Sequence, residues 1–238
     1  MSNIDEQLKE LVIANRILAR EGVVDGFGHA SIRHPEKPDH FIMACSRSPE
    51  LVVREDLMVF AADGTPVENT HLKPYAERFI HAGMYEARPD VHAVVHNHSY
   101  AVIPFSVTNT KVRPLLHVAA TIGADVPIWD IHDHFHDTDL LVVNMEQARD
   151  LAKTVGDSTT ALMRGHGSVV VGRDIRSAVI SAVYLQVNAN LQTEAMKMGE
   201  IRYLTEEEVK LAYERNLSPF VVARIWEYWS KRAGVEEI

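Results

Sequence analysis

The run Val94-Val95-His96-Asn97-His98 sets two histidines one residue apart in a stretch whose valines favour a strand. Side chains on a strand alternate faces, so both imidazoles project to the same side. Far along the chain, Arg164-Gly165-His166-Gly167 carries a third histidine in a glycine turn between two more β-type runs. If the fold brings that turn beside the first strand, the three imidazoles form a facial set that suits Zn²⁺, Mn²⁺ or Co²⁺. Such a set leaves coordination positions open for chemistry. The fold must then be a sheet in which strands distant in sequence lie close in space. A pair of hydrogen-bonded strand histidines would carry the same spacing, so the rest of the chain has to choose between the two.

Apolar spacing predicts an amphipathic helix from Ile4 to Glu21, closed by Gly22. Short β-type runs follow at Ala30 to Arg33, Phe41 to Ala44 and Leu57 to Phe60, the last ending in Ala62-Asp63-Gly64. Pro74 marks a helix start, and Arg88-Pro89-Asp90 stops that helix after Ala87. Further strands are expected at 93–96, 140–144, 161–163 and 168–171, and helices at 118–124, 146–155, 175–198, 205–215 and 219–231. Helices and strands alternate with no repeat, Ser/Gly-rich linker or low-complexity tract, so one α/β domain spanning 1–238 is expected. No G-x-G-x-x-G follows a strand, and no P-loop is present.

The formal charge of −9 argues against nucleic acid or an anionic membrane as partner. A small anionic substrate stays compatible, because a bound cation reverses the local field. No apolar run approaches the ~18 residues needed to span a bilayer. The acids at Asp5 and Glu6 stand where a signal peptide would carry bases. With the single cysteine, Cys45, these features point to a cytoplasmic protein without disulfides. Glu77, on the helix before the His-x-His strand, can be a fourth metal ligand at rest and a general acid or base once displaced. A surface pairing with Arg78 is the alternative.

In order along the chain, Gly28-His29-Ala30-Ser31-Ile32-Arg33, Glu77 in a Pro-x-x-Glu helix start, Arg88-Pro89-Asp90 before Val94-Val95-His96-Asn97-His98-Ser99, and Gly165-His166-Gly167 before a long helix resemble the class II aldolase/adducin family. The resemblance runs from about residue 5 to residue 200. It implies a three-layer α/β/α fold around a mostly antiparallel sheet, with a divalent metal on His96, His98 and His166 and Glu77 as catalytic carboxylate. It also implies a homotetramer with active sites between subunits. Adducin-type members lack the metal histidines, and their presence here implies an enzyme.

The family's sugar-phosphate aldolases hold phosphate with small hydroxyl and amide groups, and this chain departs from them at each loop. It has His29 where they carry Asn, Ser46-Arg47 where they carry Ser-Gly, and Tyr75-Ala76 where they carry two serines. Their catalytic tyrosine falls near Leu116-His117, where no tyrosine stands. A guanidinium suits a carboxylate and a phenol suits a ring. These substitutions, with Asp130-Ile131-His132-Asp133-His134-Phe135, look like the family's decarboxylases of hydroxylated benzene or pyridine carboxylic acids. Either lyase reaction leaves an electron pair that needs stabilising as an enolate-like oxyanion, which a divalent cation supplies. The alternative is an aldolase acting on a hydroxy-ketone or sugar, followed by sugar-phosphate epimerisation.

His29, Ser46, Arg47 and Tyr75 are thus candidate substrate contacts, although Arg47 could simply pair with Glu50. His117 is either a proton donor or the polar end of a short helix. His132, His134 and His136 read as an exposed turn more than a second metal site. His71, His81 and His92 read as surface or packing residues, and Cys45 has no neighbouring base to make it a nucleophile. Tyr184, Leu185 and Val187 read as core. The stripe Phe220, Ile225, Trp226 and Trp229 reads as packing, with a neighbouring subunit as one possible surface for it.

Overall fold

The computed structural model describes residues 3–68 and 71–234, so the extreme ends of the expected 1–238 domain lie outside the described residues. Helix α1 (Asn3–Arg20) leads into strands β1 (His29–Arg33), β2 (His40–Ala44) and β3 (Leu57–Ala61). Next come α2 (Arg78–Ala87), β4 (Ala93–Asn97), the short helix α3 (Ile103–Ser106) and a 3₁₀ segment, His117–Ile122. Strand β5 (Ile128–Trp129), the short helix α4 (His132–Phe135), α5 (Met145–Val155), β6 (Thr160–Met163) and β7 (Gly167–Gly172) follow. Helices α6 (Ile175–Met198), α7 (Glu206–Asn216) and α8 (Pro219–Arg232) complete the described chain.

The seven strands form one sheet in the order β3-β2-β1-β4-β7-β6-β5, antiparallel except between β5 and β6. Strand alternation sorts the side chains into two cores. Ala30, Ile32, Val95 and Val170 face a layer built from α1, α6 and α8, with Leu11, Ile17, Val179 and Trp226. Phe41, Val94, Val169 and Val171 face α2 and α5, with Ile80, Met84, Ala148 and Leu151. This is the expected three-layer, mostly antiparallel α/β/α architecture. It places β4 at the centre of the sheet, with His96 opposite His29 on β1 and opposite Val169 on β7.

Helices α5 and α6 begin where local chemistry caps them. Asn144 accepts from the Gln147 amide at α5, and Asp174 accepts from the Ser177 amide at α6. Helix α6 is buried on several faces, and its polar residues serve the neighbouring segment. Asn188 and Gln192 exchange hydrogen bonds with the backbone of Lys111, Arg113 and Leu115.

Three expectations need correction. Residues 140–144 are not a strand: the amides of Leu140, Leu141, Val142 and Val143 donate to Thr138, Asp139, Glu77 and Gln147 side chains, which leaves no ladder to join. Strand β5, only two residues long, occupies that edge of the sheet instead. Helix α2 starts at Arg78 rather than Pro74, because the Arg78 side chain reaches back to the Tyr75 and Gly64 carbonyls and holds 74–77 in an open turn. That also removes the proposed Glu77–Arg78 pairing. The C-terminal stripe packs within this chain at Ile225, Trp226 and Trp229, as expected, and only its Phe220 departs from that reading by being exposed. No described helix is long and apolar enough to cross a membrane.

Helices α2 and α5 approach closely at Gly83, where an added Cβ would lie 2.7 Å from the Ala148 carbonyl oxygen. Alanine normally favours a helix over glycine by about 0.5–1 kcal/mol, but here the overlap should dominate. Gly83→Ala is expected to lose about 1–3 kcal/mol of stability. Urea denaturation reads this directly, and a variant as stable as the parent would refute the tight contact.

Candidate active site

At the end of β4, alternation turns His96 toward the α2/α5 side of the sheet, and the chain stays extended so that His98 follows on the same side. The turn between β6 and β7 delivers His166 to the same point. Gly167 makes this possible: an added Cβ there would lie 2.0 Å from the Asn97 carbonyl oxygen, so only glycine lets the turn approach β4. Glu77 stands at the residue before α2, with its carboxylate turned to the histidines rather than to the helix amides. One ligand atom from each of Glu77, His96, His98 and His166 lies within 4.8 Å of the others.

The donor set calls for a cation. The His96 Nδ1 sits 3.1 Å from the Ser168 carbonyl, which only accepts, so its ring proton is there and Nε2 is a bare lone pair. The His98 Nε2 lies 3.0 Å from that lone pair and 3.1 Å from the His166 Nε2. One of these two contacts is always left without a proton of its own. Glu77 Oε2 adds negative charge 3.5 Å from both His96 and His166. Burial alone would raise the Glu77 carboxyl, yet His96 and His166 hold it well below the usual carboxylate range. Burial and its two imidazole neighbours push His98 down to about 4. An anion and converging lone pairs fit a divalent cation, with the Ser168 carbonyl orienting one ligand from behind.

The cluster opens into a cleft of about 410 Å³ lined by Phe27, His29, Ser46, Arg47, Tyr75, Glu77, His98 and Leu141, among others. The substrate candidates His29, Ser46, Arg47 and Tyr75 therefore meet in one place. Arg47 does not pair with Glu50. Its Nη1 is held by both Asp56 carboxylate oxygens, at 3.0 and 2.8 Å. The Tyr75 hydroxyl donates to the Arg47 carbonyl, and burial pushes that phenol up to about 12, so it remains a neutral group.

Other candidates fall elsewhere. His117 is exposed at the start of the 3₁₀ segment, with its carbonyl held by Asn216, and does not line the cleft within this chain. His132, His134 and His136 lie on the exposed α4 and the residue after it, and His134 pairs with Asp150. They form no metal-holding group among the described residues. Cys45 is buried, and burial raises its thiol, which disfavours the nucleophilic thiolate.

Three features escaped the sequence. Phe27 is 67% exposed on the rim with its ring 6.0 Å from His98, and only its glycine neighbours hinted at this. The Val142 amide donates to Glu77 Oε1 at 3.1 Å, a backbone contact with no sequence signature. His81 is fully buried and bonds both His29 and Ser31, which corrects any surface reading of it.

Residues 9–193 match the family model for the class II aldolase and adducin N-terminal domain. The chain is 34% identical over 237 residues to the decarboxylase tropJ of Talaromyces stipitatus, covering 90% of this chain and 88% of that protein. It is 26% identical over 199 residues to a 3,4-dihydroxyphthalate decarboxylase of Arthrobacter keyseri, covering 79% and 78% of the two. In three dimensions it superposes on an L-fuculose 1-phosphate aldolase of Glaciozyma antarctica with a TM-score of 0.78 at 21% identity. That match covers 97% of this chain and 89% of the other.

Two outcomes are expected. Elemental analysis of purified protein should find close to one divalent ion per chain, and His96→Ala should lose most of it; undiminished metal in that variant would remove His96 from the set. The second concerns His81, which burial depresses from 6.5 to about 3. The unfolded chain takes up this proton near 6.5 and the folded chain only near 3, so stability is present above that window and is lost as pH falls through it. The urea midpoint should fall between neutral pH and about pH 5, and fall less in His81→Gln.

Proposed function

The chain belongs to the class II aldolase and adducin family, and from that premise we propose that this lyase is a non-oxidative decarboxylase of a hydroxylated aromatic carboxylic acid. The observation that carries the reading is Arg47. Asp56 occupies only its Nη1, and among the described residues no partner takes Nε or Nη2, on a side chain that lines the cleft beside the Glu77–histidine cluster. A planar donor pair of this kind matches a carboxylate. Tyr75 and Phe27 offer ring faces to the same space. The cleft volume of about 410 Å³ suits a single-ring acid. The relatives named as decarboxylases support the same reading.

Glu77, His96, His98 and His166 would hold the divalent ion, with Zn²⁺, Mn²⁺ and Co²⁺ all compatible with the donors. When bound, it supplies Lewis-acid stabilisation of negative charge on a substrate oxygen. The protein's own groups do the rest. Arg47 binds and orients the carboxylate, and Tyr75 packs against the ring. Glu77, anionic before reaction, accepts the ring-hydroxyl proton. The bond to the carboxylate then breaks, its electron pair stays on the ring carbon, and carbon dioxide leaves. Glu77 returns its proton to that carbon, and a solvent proton restores the hydroxyl. The family resemblance carries the further reading of a homotetramer with sites between subunits, in which exposed side chains such as Phe27 on the cleft wall would be available to a neighbouring subunit.

The test is a carbon dioxide release screen over hydroxybenzoates, hydroxyphthalates and pyridine dicarboxylates, with sugar phosphates as controls. On the best acid, Arg47→Ala should lower kcat/KM by about 10- to 100-fold, the loss of one charge-assisted contact, at unchanged metal content. Cleavage of aldols with no carbon dioxide from any acid would replace this reading with an aldolase.

A further inference from the structure

Behind the cleft, four buried polar side chains form an unbroken line. The His29 Nδ1 lies 2.6 Å from the His81 Nε2, the His81 Nδ1 lies 2.6 Å from the Ser31 Oγ, and that oxygen lies 2.7 Å from the Tyr85 hydroxyl. Ser31 and His81 are wholly buried, and His29 and Tyr85 nearly so. Phe41 stacks along His81, with ring centroids 6.4 Å apart. An apolar set of the same volume would fill this space without the desolvation cost that buried polar groups carry. Such a line calls for a purpose beyond packing.

Proton bookkeeping gives the line a direction. Both rings are buried, and their hydrogen bonds within this line run to neutral groups rather than to a carboxylate, so each ring is neutral and carries one proton. Tyr85 keeps its proton because burial raises its phenol. Each of the four groups thus brings one mobile proton, the line has three links, and the remaining proton must sit at one end. At the far end, the Tyr85 hydroxyl is buried and its proton needs an acceptor. Among the described residues, Ser31 Oγ is the acceptor available to that hydroxyl. Tyr85 therefore donates to Ser31, Ser31 to His81 Nδ1, and His81 Nε2–H to His29 Nδ1. The ring proton of His29 is left on Nε2.

That nitrogen has no partner among the described residues, and His29 lines the cleft between Tyr75 and His96, at ring distances of 4.6 and 5.0 Å. We propose that His29 presents a fixed, neutral Nε2–H donor to an oxygen of the substrate, and that His81, Ser31 and Tyr85 are positioning residues that hold this donor through the buried line. A neutral donor suits the place, since an imidazolium beside His96 would repel a cation held there. The inference rests on the decarboxylase reading only for the oxygen concerned, which would belong to the carboxylate or hydroxyl of the aromatic acid.

The test reads the tautomer of His29 without substrate. In the zinc-loaded full chain labelled with ¹⁵N-histidine, the His29 signals, assigned by their loss in His29→Ala, should show the proton on Nε2. Ser31→Ala removes the donor to His81, so His29 should become a mixture of tautomers. Tyr85→Phe should shift it in the same direction by less, and it keeps the test available if Ser31→Ala does not fold. With the best acid from the screen, His29→Ala should lose about 100-fold in kcat/KM and Ser31→Ala about tenfold, the Ser31→Ala loss lying in kcat rather than KM. A proton on Nδ1 of His29 in the unmutated protein would overturn the proposal. So would an unchanged tautomer in both Ser31→Ala and Tyr85→Phe. An enzyme that releases carbon dioxide from no acid would remove the decarboxylase reading and leave the tautomer result to stand or fall alone.

Discussion

A carboxylate taken out of water must find positive charge or donors, or else give up its own charge. Glu77 is 7% exposed, and the site is organised around meeting that demand. One oxygen takes the Val142 amide, and the other faces His96 and His166. To deliver the amide, the chain passes through Leu140 at a φ of 69°, a left-handed conformation that costs a non-glycine residue about 1–2 kcal/mol. The contact repays part of that cost and pins the loop that supplies Leu141 to the cleft. Cation site and substrate wall thus share one anchor.

The protein as a whole is acidic, with a formal charge of −9, yet the substrate proposed for its cleft is an anion. The contradiction dissolves at short range. Arg47 is steadied by Asp56 through one nitrogen, and the Glu77–histidine cluster is suited to hold a divalent cation beside it. Charges within a few ångströms outweigh a diffuse net charge screened by salt over about 8–10 Å.

Much of the architecture was legible because it rests on periodicity. Alternation along 93–98 turned His96 and His98 to one side, and the glycines around His166 marked a turn able to come close. Segment 140–144 misled for a physical reason: its apolar residues look like a strand, but the acceptors for its amides come from side chains of Thr138, Asp139, Glu77 and Gln147, which no pattern reveals. His81 was illegible in the same way. On a helix it is one more polar residue, and only the packing of α2 over β1 joins it to His29 and Ser31. Asp56, which settles the partner of Arg47, lies beyond a turn whose geometry local sequence does not give.

The pairing of β1 with β4 sets His29 directly across from His96. A slip of one residue between these two strands would turn the whole of β1 over relative to its neighbour. Ser31 and His29 would leave the α2 side as Ala30 and Ile32 arrived there, so the buried polar line and the cleft wall would be lost in the same event. Misassembly of this sheet would therefore yield a molecule without the cleft rather than one whose cleft is reshaped.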